Sequence, residues 1–186
     1  MIVDDIKNYR PCNEQEQRDK DVILNFIAAN ADAFCRTNLV AHMTASAWVV
    51  NNARDRVLMV YHNIYDSWSW TGGHADGETD LLSVALREVR EETGLEKLKL
   101  LSDGIFSLEV LTVDGHEKRG EYVPSHLHLN VTYLIEADER ETLHICEAEN
   151  SGVRWFTLDG ALAASSEKWF VERIYSKLNA KLADIG

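Results

Sequence analysis

Residues 72–95 constrain this chain more than any other stretch, because they read as a glycine-rich loop running into an amphipathic helix. At about 100° per residue, Leu82, Ala85, Leu86 and Val89 project from one side of a helix predicted over residues 78–93. A helix with one apolar stripe must cover it, here against a sheet. Gly94 follows the last turn and ends the helix, since glycine takes the left-handed conformation at little cost. Glu88, Glu91 and Glu92 are spaced i, i+3 and i+4 and share a neighbouring arc. Like charges so placed cost a few tenths of a kcal/mol per pair, and the helix dipole disfavours anions at this end. A solvated acidic face paired with Arg87 and Arg90 is one way to accommodate them. A hard divalent cation is the other, because Mg²⁺ takes oxygen ligands from a few carboxylates together with substrate phosphates. Gly72, Gly73 and Gly77 precede the helix and permit close backbone approach, so main-chain carbonyls and amides can face a metal or a phosphate.

The rest of the chain supplies the layers. Asn13, then Glu14 and Glu16, then Val22, Ile23, Phe26 and Ile27 predict a capped helix reaching about Phe34, an amino-terminal addition within residues 1–40. Residues 42–51 and 56–62 are apolar runs separated by a turn-like stretch and predict a hairpin. Residues 98–113 predict one or two strands bent near Asp103 and Gly104, residues 126–136 another strand, and residues 152–157 a last short one. Residues 161–164 and 167–182 look helical, with Trp169, Phe170, Ile174 and Leu178 as an apolar stripe. Strands and helices in this order predict an α/β class fold, an α/β/α sandwich on a mixed β-sheet, as one domain over residues 1–186 with an extra amino-terminal helix.

Charge and composition set conditions on partners. A net charge of −12 argues against nucleic acid, whose backbone is bound by clustered Lys and Arg. A phosphorylated small molecule remains compatible if divalent cations lie between it and the acidic site. No apolar run approaches the roughly 18–20 residues that span a bilayer, and residues 1–10 are broken by charge, so a cytoplasmic chain with no membrane partner is expected. Cys12, Cys35 and Cys146 are too scattered for a disulfide framework or a paired zinc motif and read as free thiols. Oligomeric state is not legible.

The run from Gly73 to Leu95 resembles the box of the Nudix hydrolases, Gly-x5-Glu-x7-Arg-Glu-U-x-Glu-Glu-x-Gly-U, with U a bulky aliphatic residue. Residues 87–95 match its second half at every specified position, and the separation of Gly73 from Arg87 matches too. The first glutamate departs: the pattern places it at Thr79, whereas this chain has Glu78. The resemblance implies hydrolysis of a pyrophosphate bond in a nucleoside diphosphate-linked or related small-molecule substrate by metal-activated water. It implies that Glu88, Glu91 and Glu92 hold Mg²⁺, or Mn²⁺, with the carbonyl of Gly72 as a further ligand and Arg87 orienting the glutamates. Glu149, ahead of the last strand, is the candidate general base, and Glu147 stands beside it. Trp70, Gly73 and Glu78 are the candidate substrate contacts, although Trp70, like Trp68, equally fits core packing.

Two further features stand outside that set. His126 and His128 share one face of a strand, an arrangement that binds transition metals or simply rims a loop. The polar loop with His116, Lys118, Arg119, Glu121 and Tyr122 is placed by analogy as a substrate selector. Two other functions compete. A non-catalytic, nucleotide-binding regulatory Nudix domain tends to lose box glutamates, and all three are present. Isopentenyl-diphosphate isomerase has a region similar to Trp70-Thr71-Gly72-Gly73-His74 but expects a nearby catalytic cysteine that this chain lacks in sequence.

Overall fold

A computed structural model describes every residue except Tyr65, Arg119 and Gly186, and Lys118 through its backbone alone. The chain divides into two compact units, each built from three segments: Met1–Ser46, Gly72–Val84 and Gly104–Tyr133 form one, and Ala47–Thr71, Ala85–Asp103 and Leu134–Gly186 the other.

In the first unit, α1 (Ile2–Asn8) forms where the sequence suggested only a charge-broken stretch, because Ile2 and Ile6 sit one turn apart and are both buried. Helix α2 (Glu14–Ala29) starts as predicted, the side chain of Asn13 accepting a hydrogen bond from the Glu16 amide at 2.9 Å. It stops short of Phe34 because Asn30 caps it, both its backbone and side-chain amides donating to the Phe26 carbonyl. Within this unit, strand β1 (Ala41–Asn51) lies between β4 (Thr71–His74) and β9 (His126–Ala137). Strand β9 pairs antiparallel with β6 (Ser107–Val113), from Ser107 opposite Thr132 to Val113 opposite His126. The Leu127 amide donates to the Val40 carbonyl at 3.0 Å. Both residues stand at the starting ends of neighbouring strands, so β1 and β9 run the same way and the sheet is mixed, as predicted. The loop before β9 is less irregular than its polar sequence implies. It folds into a hairpin of β7 (His116–Lys118) and β8 (Glu121–Val123). Arg119, read above as part of a substrate-selecting loop, lies outside the described residues.

Helix α2 packs on β6 through a polar core that the sequence did not announce. Glu16 and Glu109 are both fully buried. Glu16 accepts from the Tyr9 hydroxyl at 2.6 Å, the Cys12 amide at 2.8 Å and the Ser107 hydroxyl at 2.7 Å. Ser107 also bonds Glu109, which accepts from Asn130 at 3.1 Å and Thr132 at 2.7 Å. Thr44 and Ser46 then donate to the Asn130 carbonyl oxygen at 2.9 and 3.0 Å. Buried polar groups persist only when partnered in this way.

In the second unit, β2 (Arg56–His62) completes the predicted hairpin with the end of β1, Val50 opposite Val57. Asn51 closes the turn by accepting from the amides of Asp55 and Arg56, each at 3.1 Å. Strands β10 (Asn150–Thr157) and β3 (Ser67–Ser69) both pair antiparallel with β2, and β5 (Lys99–Leu100) pairs with the end of β9. Helix α4 (Leu158–Ala164) is capped by Thr157. The predicted final helix is instead α5 (Lys168–Phe170), a π-helical turn over Val171–Tyr175, and α6 (Ser176–Ala183). The extra residue of a π turn rotates what precedes it. Ile174 and Leu178 therefore stay buried while Trp169, assigned to the same stripe, is 45% exposed.

Helix α3 (Leu81–Thr93) begins three residues later than predicted, because Asp80 caps it, accepting from the Ser83 amide at 3.2 Å and the Ser83 hydroxyl at 2.7 Å. Its buried face is also rotated from the expected one. Leu81, Val84, Ala85 and Val89 are fully buried, whereas Leu82 and Leu86 are half-buried. The inward stripe therefore runs through positions 81, 85, 88 and 92, and two glutamates lie on it.

Candidate functional site

Four of the residues assigned to the site occur in the second unit, on the last two turns of α3. Glu92 is 3% exposed, the Glu88 side chain is 14% exposed, and Glu91 faces solvent. Arg87 donates to Glu88 at 3.3 Å from a largely exposed position. Burial is the main influence on Glu88 and pushes its carboxyl upward. The charge and hydrogen bond of Arg87 oppose that push, and the neighbouring charges of Glu91 and Glu149 add to it. Glu149 is thus within electrostatic reach of the α3 carboxylates although 57 residues or more separate it from them in sequence.

The segment that carries Glu149 is pinned to the end of α3. A helix leaves its last carbonyls without intrahelical partners, and residues 144–150 supply them. The His144 amide donates to the Thr93 carbonyl at 2.8 Å, and the Asn150 side chain donates to the Glu92 carbonyl at 3.0 Å. Asn150 is 1% exposed, and its carbonyl oxygen accepts from the Cys146 amide at 3.2 Å. The Glu149 side chain is exposed, as is Glu147. Gly94 adopts φ +76°, as its place after the helix required, and a side chain there would meet the His144 ring at 2.7 Å. None of these ties was visible in the sequence; an asparagine just before a strand carries no distinctive local signal.

Gly72, Gly73 and Glu78 belong to the first unit. The glycines lie in β4 rather than in an interrupting loop. Gly72 is glycine for a steric reason: a Cβ would stand 2.7 Å from the Ala45 carbonyl oxygen and 2.9 Å from the Ser46 Cα, both backbone atoms of β1. The displaced glutamate of the box has a local task. One Glu78 carboxylate oxygen accepts from the amides of Thr79 and Asp80, at 2.8 and 2.9 Å, and so shapes the loop directly before the Asp80 cap. Behind that loop, Gly77 donates to the Phe34 carbonyl at 2.8 Å and Asp76 forms a two-pronged ion pair with Arg36.

Trp70 is 7% exposed and sits edge-on to Tyr175 and Phe170, with ring centres 5.7 and 6.4 Å away, which is the packing role the sequence left open. Trp68 is held between Tyr61 and Phe156. The three cysteines are free. His126 and His128 do share a strand face, and the structure adds His42 and His74 to them.

The carboxyl end of α3 thus carries Glu88, Glu91 and Glu92, the first and last withdrawn from solvent, with Glu149 on a loop anchored to the same helix end. The family model for the NUDIX domain matches residues 40–178, and the chain belongs to that family, whose hydrolases act on pyrophosphate bonds. A probable DHNTP pyrophosphohydrolase of Lactococcus lactis subsp. cremoris is 24% identical over 140 residues, covering 75% of this chain and 80% of that protein. The fold is similar to a C. elegans Ap4A hydrolase, with 18% identity, TM-score 0.56, and 76% of this chain and 98% of that one covered. It is also similar to the E. coli dihydroneopterin triphosphate pyrophosphohydrolase, with 16% identity, TM-score 0.53, and coverages of 73% and 95%. Among the described residues, no helix is long and apolar enough to cross a membrane.

Proposed function

We propose that this chain hydrolyses a phosphoanhydride bond in a small-molecule substrate, with Glu88, Glu91, Glu92 and Glu149 as the working carboxylates. The observation that carries the reading is the withdrawal of Glu88 and Glu92 from solvent on the inward stripe of α3, with the charge of Glu149 acting on the same group. Carboxylates so grouped and so withdrawn from solvent carry a cost that a shared cation would offset. An all-oxygen donor set fits a hard divalent cation, and Glu88, Glu91 and Glu92 would hold Mg²⁺ or Mn²⁺. When bound, such a cation neutralises phosphate charge and makes water more acidic.

The chain's own residues then have separable tasks. Arg87 holds Glu88 from the exposed side of the helix. Glu149 accepts the proton of the attacking water as the new phosphorus–oxygen bond forms and the anhydride bond breaks, the leaving phosphate departing with the electron pair. The anchors at His144 and Asn150 fix the distance of that base from α3. The Gly72 carbonyl is assigned as a further ligand and Gly73 as a substrate contact, while Glu78 acts on the loop conformation.

The test is a hydrolysis screen with Mg²⁺ and Mn²⁺ over dinucleotides, nucleotide sugars, oxidised nucleoside triphosphates and non-nucleotide diphosphates, starting from dihydroneopterin triphosphate and Ap4A. Phosphate-containing fragments are the expected products, and Glu92→Gln is expected to abolish their formation. Little loss of metal-dependent turnover in Glu92→Gln overturns the assignment. Tight binding of one nucleotide without turnover by the unmodified chain would favour a regulatory domain, and an isomerised allylic diphosphate would favour the isomerase.

A further inference from the structure

Within the first unit, three adjacent strands carry four histidines to one place: His42 on β1, His74 at the end of β4, and His126 and His128 on β9. One ring nitrogen from each lies within 4.8 Å of the other three. Ring centres are 4.9 Å apart for His42 and His126, 5.1 Å for His42 and His128, and 4.9 Å for His74 and His128. His42 is 3% exposed and His126 9%, whereas His74 and His128 are half-buried.

The tautomers in this cluster leave a buried nitrogen without a hydrogen-bond partner among the described residues. His42 Nδ1 lies 3.0 Å from the Asn38 carbonyl oxygen and His126 Nδ1 lies 2.8 Å from the Pro124 carbonyl oxygen. A carbonyl only accepts, so both rings carry their proton on Nδ1 and present a lone pair at Nε2. His126 Nε2 faces His128 Nε2 at 3.1 Å, and His42 Nε2 is buried with no hydrogen-bond partner among the described residues. A proton on His128 Nε2 satisfies the His126 lone pair, but the buried His42 Nε2 has no such donor among the described residues, and an unpartnered polar nitrogen in a dry site is costly. The same pattern, with Nδ1–H bound to a backbone carbonyl and Nε2 aimed inward, is how a protein orients imidazoles for a cation.

We propose that His42, His74, His126 and His128 form a binding site for one divalent transition-metal ion of the zinc class, held by imidazole nitrogens alone. At a metal–nitrogen distance of about 2.0–2.1 Å, tetrahedral ligands stand about 3.4 Å apart. The 3.1 Å separation of His126 and His128 already approximates this, and the wider pairs close by side-chain rotation. Borderline nitrogen ligands select zinc, cobalt, nickel or copper over Mg²⁺, so the site differs in kind from the glutamate set on α3. It also stands independently of the hydrolase reading. His74 follows directly on Gly72 and Gly73, so the ion would tie the end of β4 to β1 and β9.

The test uses the full chain, stripped with a chelator and titrated with Zn²⁺ by calorimetry in excess Mg²⁺, alongside the visible spectrum of the Co²⁺-loaded protein. One equivalent of Zn²⁺ is expected to bind undisturbed by Mg²⁺, and Co²⁺ is expected to show intense tetrahedral bands without a thiolate charge-transfer band. Outer-layer changes around metal sites weaken affinity roughly 10–100-fold. Loss of a ligand in His74→Asn or His128→Asn should therefore weaken Zn²⁺ by at least about 100-fold, while His116→Asn and Glu92→Gln leave it intact. Both tested positions are half-buried, and the Co²⁺ spectrum of the unmodified chain needs no variant to fold. Absence of Zn²⁺ binding, displacement by Mg²⁺, a thiolate band, or retained affinity in both histidine variants would each overturn the proposal.

Discussion

Asn150→Ala is the perturbation that most directly probes how the loop bearing Glu149 is fixed to the helix bearing Glu92. The side chain donates to the Glu92 carbonyl at 3.0 Å and accepts from the Cys146 amide at 3.2 Å, and the residue is 1% exposed. Each hydrogen bond contributes about 1 kcal/mol net, and a buried carbonyl left without a donor adds about 1–3 kcal/mol. Water can reach the half-buried Cys146 end, so the sum expected is about 2–4 kcal/mol. For a chain of this length, 1 kcal/mol moves Tm by about 2–4 °C, which gives a fall of about 4–16 °C. Urea unfolding should show a lower midpoint with an unchanged slope. Where the variant is folded, metal-dependent turnover should fall as well, since the loop bearing Glu149, the proposed base, is no longer held. Asn150→Asp sharpens the test. It keeps the acceptor for Cys146 but sets a carboxylate oxygen against the Glu92 carbonyl, so its folded-state pKa lies above the unfolded value. That variant should lose stability as pH rises through the folded pKa. A change below about 0.5 kcal/mol in Asn150→Ala, or a stability difference between Asn150→Asp and the unmodified chain that is the same at pH 5 and pH 8, would refute the reasoning.

Three further outcomes are expected. Gly72→Ala forces a Cβ against β1 backbone, 2.7 Å from the Ala45 carbonyl oxygen, and should cost about 1–3 kcal/mol in chemical denaturation whether or not divalent metal is present. Burial raises the Glu167 carboxyl from 4.5 to about 7, with one oxygen buried and without a hydrogen-bond partner among the described residues. Its folded pKa exceeds the unfolded one, so the native chain should lose stability relative to Glu167→Gln as pH climbs from about 4.5 to 7. At 1.36 kcal/mol per pKa unit the loss is about 3 kcal/mol at most; the same difference at pH 4 and pH 8 would contradict this. Arg87→Gln removes the exposed partner of Glu88, whose side chain is 14% exposed, and should change stability by about 1 kcal/mol or less while lowering turnover, measured by thermal melting and product release on the same preparation.

What the sequence determined by itself is whatever depends on neighbours along the chain. The i, i+3, i+4 spacing of Glu88, Glu91 and Glu92, the Asn13 cap, the Gly94 stop and the hairpin around Asn51 are all local, and the structure keeps them. The rotation of α3 that buries Glu92 and half-exposes Leu82 is not local, because a helix with apolar residues on a broad arc leaves its inward direction to packing. The shifted Glu78 shows the same division: its position was plain, but its bonds to the Thr79 and Asp80 amides required the folded loop. Only tertiary structure set Glu109 against Glu16 and brought His42 and His74 to His126 and His128. Those contacts join residues 32 to 93 positions apart, and nothing in chain spacing encodes which strands lie side by side.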